Sequence, residues 1–505
     1  MFKTPPYDHQ LEALRLSEGR KSFAFFMEQG TGKTKVVLDD VARLFRQSKV
    51  DGLLVIAPNG IHLNWAIEEI PKHLPDDIPH EVLCWISARA NSVGFKADVK
   101  DFFNMREEAP ILKILLMNIE ATGVTARKRV IRKFLDTRKT YFAIDESTQI
   151  KTPSAKRTQT MIAFSRYPEY KRILSGFPFP HGPFDAFAQF KFLDPEIWDT
   201  TQFAVFKQEY AEFERVRTRG GQEFEQVVQY LNVDRLQSKI DPYMYRVLKK
   251  DCLDLPEKIY TSLFVDLSPR QLSAYKIARE EIIAELMILW NAMNGADDDL
   301  RETAQTVYIE TTLARQMKLR QILSGFIIPE AGADPVVIDP KPPRIEAILE
   351  HVDESEDKFI VWACFRYDVE LLMFTLKQKY GPNSTGAYYG GTKTDDRIDL
   401  LKRFQDLDDP LRFFIGNPQS AGLGLTLTAA HNVFYYSCSP NLEHYIQSED
   451  RPHRIGQTHA VLYRHMIAQH YSLPNGTVDL RTIAGLRGHR EMGEMLLNDP
   501  PTDWL

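Results

Sequence analysis

Residues 28–34, Glu-Gln-Gly-Thr-Gly-Lys-Thr, stand between an apolar run, SFAFFM, and an amphipathic stretch with apolar side chains at Val36, Val37, Val41 and Leu44. Such a turn at a strand-to-helix junction suits phosphate. Gly30 and Gly32, with Thr31 between them, let backbone N–H groups wrap phosphate oxygens, and the start of the helix favours anions. Lys33 is placed to reach the β- and γ-phosphates, and the Thr34 hydroxyl to ligate Mg²⁺. The complete P-loop pattern begins with glycine, where this chain has Met27. Further along, the apolar run TYFAI ends in Asp145 and Glu146. One carboxylate at the end of a buried strand can hold the cation, directly or through water, and the next can orient or deprotonate an attacking water. The two motifs point to chemistry at a bound nucleoside triphosphate, and their long separation admits further strands between them, unlike a small nucleoside kinase.

Those groups need a sheet to hold them. Short apolar runs alternate with amphipathic stretches from residue 21 to 200, as SFAFFM, GLLVIAP, ILKILLMN, TYFAID and YKRILSG. Each run is strand-length and followed by turn or helix-start residues, the pattern of a parallel sheet with crossover helices. The alternation returns after residue 340 in KFIVWACF, STGAYYGG, LRFFIGN, HNVFYYS and VLYRHMIA. Between the two series lie helix-like segments, LSAYKIAREEIIAELMILWNAM and TTLARQMKLRQIL, with apolar positions recurring at three and four. The strand-like KIYTSLFVDLSP marks entry into the second series. The fold class expected is α/β, two parallel-sheet lobes with mainly helical insertions.

Bulk properties exclude other classes. At 505 residues the chain exceeds one ordinary core, and 43% hydrophobic with 26% charged residues is ordinary for a globular protein. No apolar run approaches the roughly 20 residues that span a bilayer, and the start, MFKTPPYDHQ, does not read as a secretion signal. A cytoplasmic protein is expected. Cys84, Cys252, Cys364 and Cys438 form no close pair, which argues against a zinc site or a disulfide framework. A net charge of −6 neither signals nor excludes a nucleic-acid groove, which needs only local positive potential. The strongest local basic run is TARKRVIRKFLDTRKT, with Arg127, Lys128, Arg129, Arg132, Lys133, Arg138 and Lys139. It reads as a solvated helix face or as added grip on a duplex.

MEQGTGKT, GLLVIAPNGIHLNWAIEEI, DESTQIKT, LSGFPFPHGPFDAFAQFKFLDP, YRVLKKDCLDLPEKIYTSLFVDLSPRQLSAY, LRQIL and QSEDRPHRIGQ follow one another in that order. With them the chain resembles superfamily 2 helicases and, within them, the Swi/Snf family of DNA-translocating ATPases, over nearly its whole length. The resemblance implies ATP and Mg²⁺ as cofactors, Thr34 and Asp145 on the metal, Gln10 in the adenine-reading place and Gly424 at the nucleotide. It implies that Arg451 and Arg454 are arginine fingers acting on the nucleotide held by the other lobe, where such a charge is worth on the order of 10³ to 10⁵ in rate. Ser175, Gly176 and Gln447 would couple the lobes. Nucleic-acid contacts carried over are Asn64, Trp65, Asn118, Glu120, Gly390 to Lys393 with Gly391 among them, and Ser420 to Gly422; Trp65 reads equally as core. Departures from the pattern include Ser175 and Phe177 for two threonines, Ser147 and Thr148 for Ala-His, and Thr426 for asparagine, and they bear on coupling rather than on hydrolysis.

The domains implied are 1–195, RecA-like lobe 1; 196–255, its helical insertion; 256–335, the start of lobe 2 with a helical insertion; 336–470, RecA-like lobe 2, the C-terminal helicase domain; and 471–505, closing helices. The activity implied is an ATP-dependent translocase on double-stranded or branched DNA. The alternatives are a strand-separating helicase on DNA or RNA, and a nucleotide-gated nucleic-acid-binding protein with a vestigial ATPase. A monomer without a membrane segment or protein-recruitment module is expected, in a prokaryotic or phage-infected cell.

Overall fold

The computed structural model describes residues 2–104, 110–217, 223–294, 314–329, 333–392, 394–420, 425–473 and 475–497. They form two compact units, one drawn from residues 2–212, 229–254 and 489–497, the other from 213–228 and 255–488.

The first unit is built on a seven-stranded sheet with the order His80–Cys84, Leu112–Asn118, Gly52–Ala57, Thr140–Ile144, Tyr170–Leu174, Ser22–Met27, Met244–Val247. Its neighbouring strands pair in parallel. Parallel strands covered on both faces need apolar side chains on both, which is why the runs read as continuous rather than alternating. Phe23, Phe25 and Met27 enter one core with Leu53, Val55 and Tyr141, while Ala24 and Phe26 enter the opposite core with Leu54, Ile56 and Phe142. Helix Lys33–Arg46 covers the first of these faces with Val36, Val37, Val41 and Leu44.

The second unit carries a six-stranded sheet ordered Lys258–Asp266, Val461–Gln469, Asn432–Tyr435, Phe359–Trp362, Phe413–Gly416, Thr385–Tyr388, again with parallel neighbours. Phe359, Val361, Phe413, Ile415 and Phe434 share one of its cores. The strands expected from both series of apolar runs all form, and KIYTSLFVDLSP opens the second sheet as an edge strand.

Three segments differ from expectation. Segment 196–255 is not wholly helical: Ala211–Arg217 and Glu223–Tyr230 pair with each other, and Met244–Val247 returns to the edge of the first sheet beside Ser22–Met27. EFEQVVQY is rich in the β-branched and aromatic residues that suit a strand, whereas MYRV is too short for its period to register. His80–Cys84 adds an opposite edge, half-buried and also short. The end of the chain holds a single described helix, Val478–Leu496, whose residues from His489 onward belong to the first unit, where Leu496 and Leu497 join the core.

Candidate active site

The phosphate-type turn hangs from the end of strand Ser22–Met27. Gly30 and Gly32 both have φ of 86°, in the left-handed region where a side chain is strained, and Gly32 caps helix Lys33–Arg46. A Cβ on Gly32 would fall 2.2 Å from Gln10 Nε2, so the loop needs glycine there for a second reason. Gln10 Nε2 donates to Thr31 O at 3.0 Å and its Oε1 accepts from Tyr7 N at 3.1 Å. Beside it His9 Nε2 donates to the same carbonyl at 2.8 Å. Both side chains are buried, so the strand-preceding helix Asp8–Ser17 braces the loop from outside. His9 escaped the sequence reading, and nothing about a lone histidine signalled it.

Lys33 is buried, with Nζ donating to Met27 O at 2.9 Å, which folds the ammonium back over the loop. Thr34 lies partly buried in the first turn of the helix. Thr140–Ile144 ends one strand away, across Tyr170–Leu174, which places Asp145 about two strand spacings, roughly 10 Å, from the strand that carries the loop. Asp145 Oδ1 accepts from Glu146 N at 3.0 Å and Oδ2 from the Trp65 indole Nε1 at 2.9 Å. Burial pushes the Asp145 carboxyl above its ordinary value, opposed by the indole N–H, the Lys33 charge and the Glu146 N–H. Glu146 takes a left-handed conformation, φ 50° and ψ 63°, that costs a non-glycine residue on the order of 1–3 kcal/mol and typifies functional turns. Its Oε1 accepts from Gln29 Nε2 at 3.4 Å.

Ser175 and Gly176 close the group. A Cβ on Gly176 would lie 3.0 Å from Gln29 Cγ and 3.7 Å from Lys33 Nζ, so this turn packs directly on the phosphate loop. Ser175 Oγ accepts from Phe177 N at 3.2 Å. Arg246 Nη1 donates to Gly176 O at 2.9 Å and to Phe26 O at 3.1 Å, and Glu28 accepts from Lys249 N at 2.8 Å. The edge strand missed in the sequence therefore pins both turns. Ser147, where the resembled pattern has alanine, donates to Gln189 Oε1 at 2.6 Å, and Gln189 Nε2 donates to Pro178 O at 2.7 Å. That bridge ties the acidic turn to the Ser175–Pro178 turn.

Thr34 and Asp145 fit a small hard cation: both offer oxygen, and each Asp145 oxygen accepts one N–H and keeps a lone pair. Mg²⁺ is held by one or two carboxylates with phosphate oxygens and water rather than by a closed cage.

Trp65 is fully buried, which corrects its reading as a nucleic-acid contact: its N–H finds a carboxylate in the core. Asn64 is half-buried, with Nδ2 and Glu69 Oε1 3.5 Å apart, and Asn118 Nδ2 donates to Glu120 Oε2 at 3.0 Å.

In the second unit, Gln447 lies on helix Leu442–Glu449, which stops before Arg451. Arg451 and Arg454 both follow that helix in residues 450–456, which run in turns because the residue before Pro452 is disfavoured in the helical region. Arg451 is buried and its carbonyl accepts from Leu427 N at 3.1 Å, whereas Arg454 is half-buried. Gly391 is exposed against the Tyr389 ring, and Ser420 N donates to Asn417 O at 3.0 Å. Lys393, Gly424 and the segment 421–424 lie outside the described residues.

Two parallel sheets, a glycine-rich phosphate loop facing an Asp-Glu pair, and a second unit with an arginine-bearing turn define a P-loop ATP hydrolase of helicase architecture. The chain belongs to the SNF2-related family: the SNF2-related domain matches residues 13–324 and the helicase conserved C-terminal domain residues 343–456. It is 24% identical over 475 residues to the SWI/SNF chromatin-remodeling complex subunit snf22 of Schizosaccharomyces pombe, covering 88% of this chain and 25% of that one. To the DNA annealing helicase and endonuclease ZRANB3 of Mus musculus it is 25% identical over 453 residues, 90% of this chain and 37% of that one. The chain thus spans a quarter to under two fifths of these relatives. Among solved structures, the Sulfolobus solfataricus SWI2/SNF2 ATPase core in complex with dsDNA aligns over 98% of this chain and 97% of that one, at 20% identity and a TM-score of 0.40.

Proposed function

We propose that this protein is a DNA-stimulated, Mg²⁺-dependent ATPase that translocates on double-stranded or branched DNA, migrating branches, reannealing strands or displacing bound protein. The observation that carries it is the gathering of Lys33, Asp145, Glu146, Gln29 and Gly176 at one end of the first sheet, on a family whose relatives include a DNA annealing helicase. In this scheme Lys33 and the Gly30–Thr34 amides bind the triphosphate, Gln10 sits toward the base, and Glu146 orients or deprotonates water from its left-handed turn. Mg²⁺, held by Thr34 and Asp145, supplies charge neutralisation at the phosphates. Arg451 and Arg454 serve as fingers, and Ser175, Gly176 and Gln447 couple the units. Asn64, Asn118, Gly391, Lys393 and Ser420 track the nucleic-acid backbone, a sequence-independent and salt-sensitive grip.

Among the described residues no helix is long and apolar enough to cross a membrane. Action as a monomer in the cytoplasm of a prokaryotic or phage-infected cell completes the proposal. ATPase rates with single-stranded, double-stranded and branched DNA, and with RNA, test it. Triplex displacement without strand separation is expected, and turnover indifferent to DNA would sink it.

A further inference from the structure

The Trp65–Asp145 bond joins two segments 80 residues apart in sequence. Trp65 begins a π-helical stretch, Trp65–Glu69, set between α-helical Ile61–Asn64 and Ile70–His73. Ile70 N donates to Trp65 O, the wide turn of that helix type. Such turns are rare and concentrate at functional sites. Here the widened turn changes which residues face inward: His62, Trp65 and Ile70 are buried, so the inward spacing is three and then five. Asn64, Ile67 and Glu68 stay on the outer side, with Ile67 77% exposed. An uninterrupted α-helix would advance its faces by about 100° per residue and could not keep Trp65 and Ile70 on one side.

The indole has a single donor and no acceptor, so its direction is fixed by ring packing. With Oδ1 held by the Glu146 amide and Oδ2 by the indole, the Asp145 carboxylate is clamped from two segments at once. We infer that Trp65 is a positioning residue for the metal-side carboxylate, and that through it the Ile61–Glu69 segment reports nucleic-acid engagement to Asp145. The second half rests on the proposed function, which puts a nucleic-acid contact at Asn64. Partners that orient a metal ligand in this way change metal affinity or activity by about 10- to 100-fold when removed.

Trp65→Phe keeps an aromatic ring and deletes the N–H. Its Mg²⁺ affinity in the presence of ADP, measured by titration calorimetry, is expected to fall about tenfold, while ADP affinity in EDTA is unchanged. DNA-stimulated kcat is expected to fall with it and to recover in part at high Mg²⁺; a merely structural defect would weaken both affinities and give no recovery. Should Trp65→Phe fail to fold, ¹⁵N-indole spectra of the otherwise native chain decide the matter. The indole resonance most shifted by Asp145→Asn identifies Trp65, and it is expected to move on adding Mg²⁺ to the ADP complex. A blunt-ended DNA duplex is expected to move it again, and Asn64→Ala to remove only that second shift. If DNA does not stimulate turnover at all, the functional proposal fails while the Mg²⁺ readouts still decide the positioning role. An indole resonance blind to Mg²⁺, or Trp65→Phe with native Mg²⁺ dependence, overturns the inference.

Discussion

Lys258 Nζ lies 2.6 Å from Glu449 Oε1 and 3.1 Å from Asp450 Oδ1, so the first strand of the second sheet is tied to the residues immediately before Arg451. Both carboxylate side chains are 1% exposed and the lysine 16%. Tyr260 OH also donates to Glu449, and Tyr463 OH donates to its carbonyl at 2.6 Å. The arginine-bearing turn is thereby anchored from below.

Lys258→Met removes the cation from two buried carboxylates and is expected to destabilise the second unit by about 3 kcal/mol. Chemical denaturation measures it. Adding Glu449→Gln is expected to return part of the loss, since one of the two buried charges is then gone; no recovery would mean the lysine acts mainly through packing.

Lys33→Ala, Glu146→Gln and Arg454→Ala are each expected to abolish DNA-stimulated ATP turnover, for Arg454 by on the order of 10³-fold or more. Glu146→Gln is expected to keep nucleotide binding, because its loss affects water rather than phosphate contacts. Steady-state rates with parallel binding measurements check this. An active Lys33→Ala would overturn the site assignment.

Gly176→Ala places a Cβ 3.0 Å from Gln29 Cγ and 3.3 Å from Gln29 N. Relieving that contact displaces Gln29 from Glu146, at a cost of about 1–3 kcal/mol. Turnover is expected to fall more than nucleotide affinity, a split that kcat and KM report directly.

Two buried groups set opposing pH slopes in the second unit. Burial pushes the Asp368 carboxyl up to about 7, against hydrogen bonds from Ser437 and Ser324 and the nearby Arg344 charge. The folded chain therefore holds a proton that the unfolded chain releases near pH 4, so this contribution is whole below about pH 4 and lost as pH rises through about 7. Burial lowers His465 to about 4, so its contribution is present above about pH 6.5 and lost as pH falls through about 4. Asp368→Asn is expected to gain stability relative to the native chain as pH rises from about 5 to 7, and His465→Gln to gain as it falls over the same range. Thermal melts across that range read both signs.

Lys128, Arg129, Arg132, Lys133 and Lys156 line a cavity of about 790 Å³ between helices Thr125–Thr137 and Lys156–Phe164. Arg132 is paired with Asp136, and Arg129 and Lys156 are exposed. Lys128→Glu with Arg129→Glu is expected to weaken duplex binding uniformly across sequences and to lower the log–log salt slope by about 2. Unchanged DNA affinity and unchanged DNA-stimulated turnover would leave this run as a solvated helix face.

Local chemistry was legible wherever one short stretch of chain carries it. The phosphate loop needs only Gly30, Gly32, Lys33 and a following helix, and the buried strands announce themselves because a parallel sheet covered on both faces demands apolar residues at every position. Met244–Val247 and His80–Cys84 were not legible, since edge strands so short show no period. What only the tertiary structure decided is which side chains meet. Trp65 read equally well as core or contact until sheet order brought it to Asp145, Arg246 was one basic residue among many until its strand came to lie beside Ser22–Met27, and Ser147 was only a departure from the resembled pattern until Gln189 took its hydroxyl. Residue types and spacing determined the chemistry available to this chain; the parallel crossovers, which place sequence-distant strand ends side by side, determined how that chemistry is held in place.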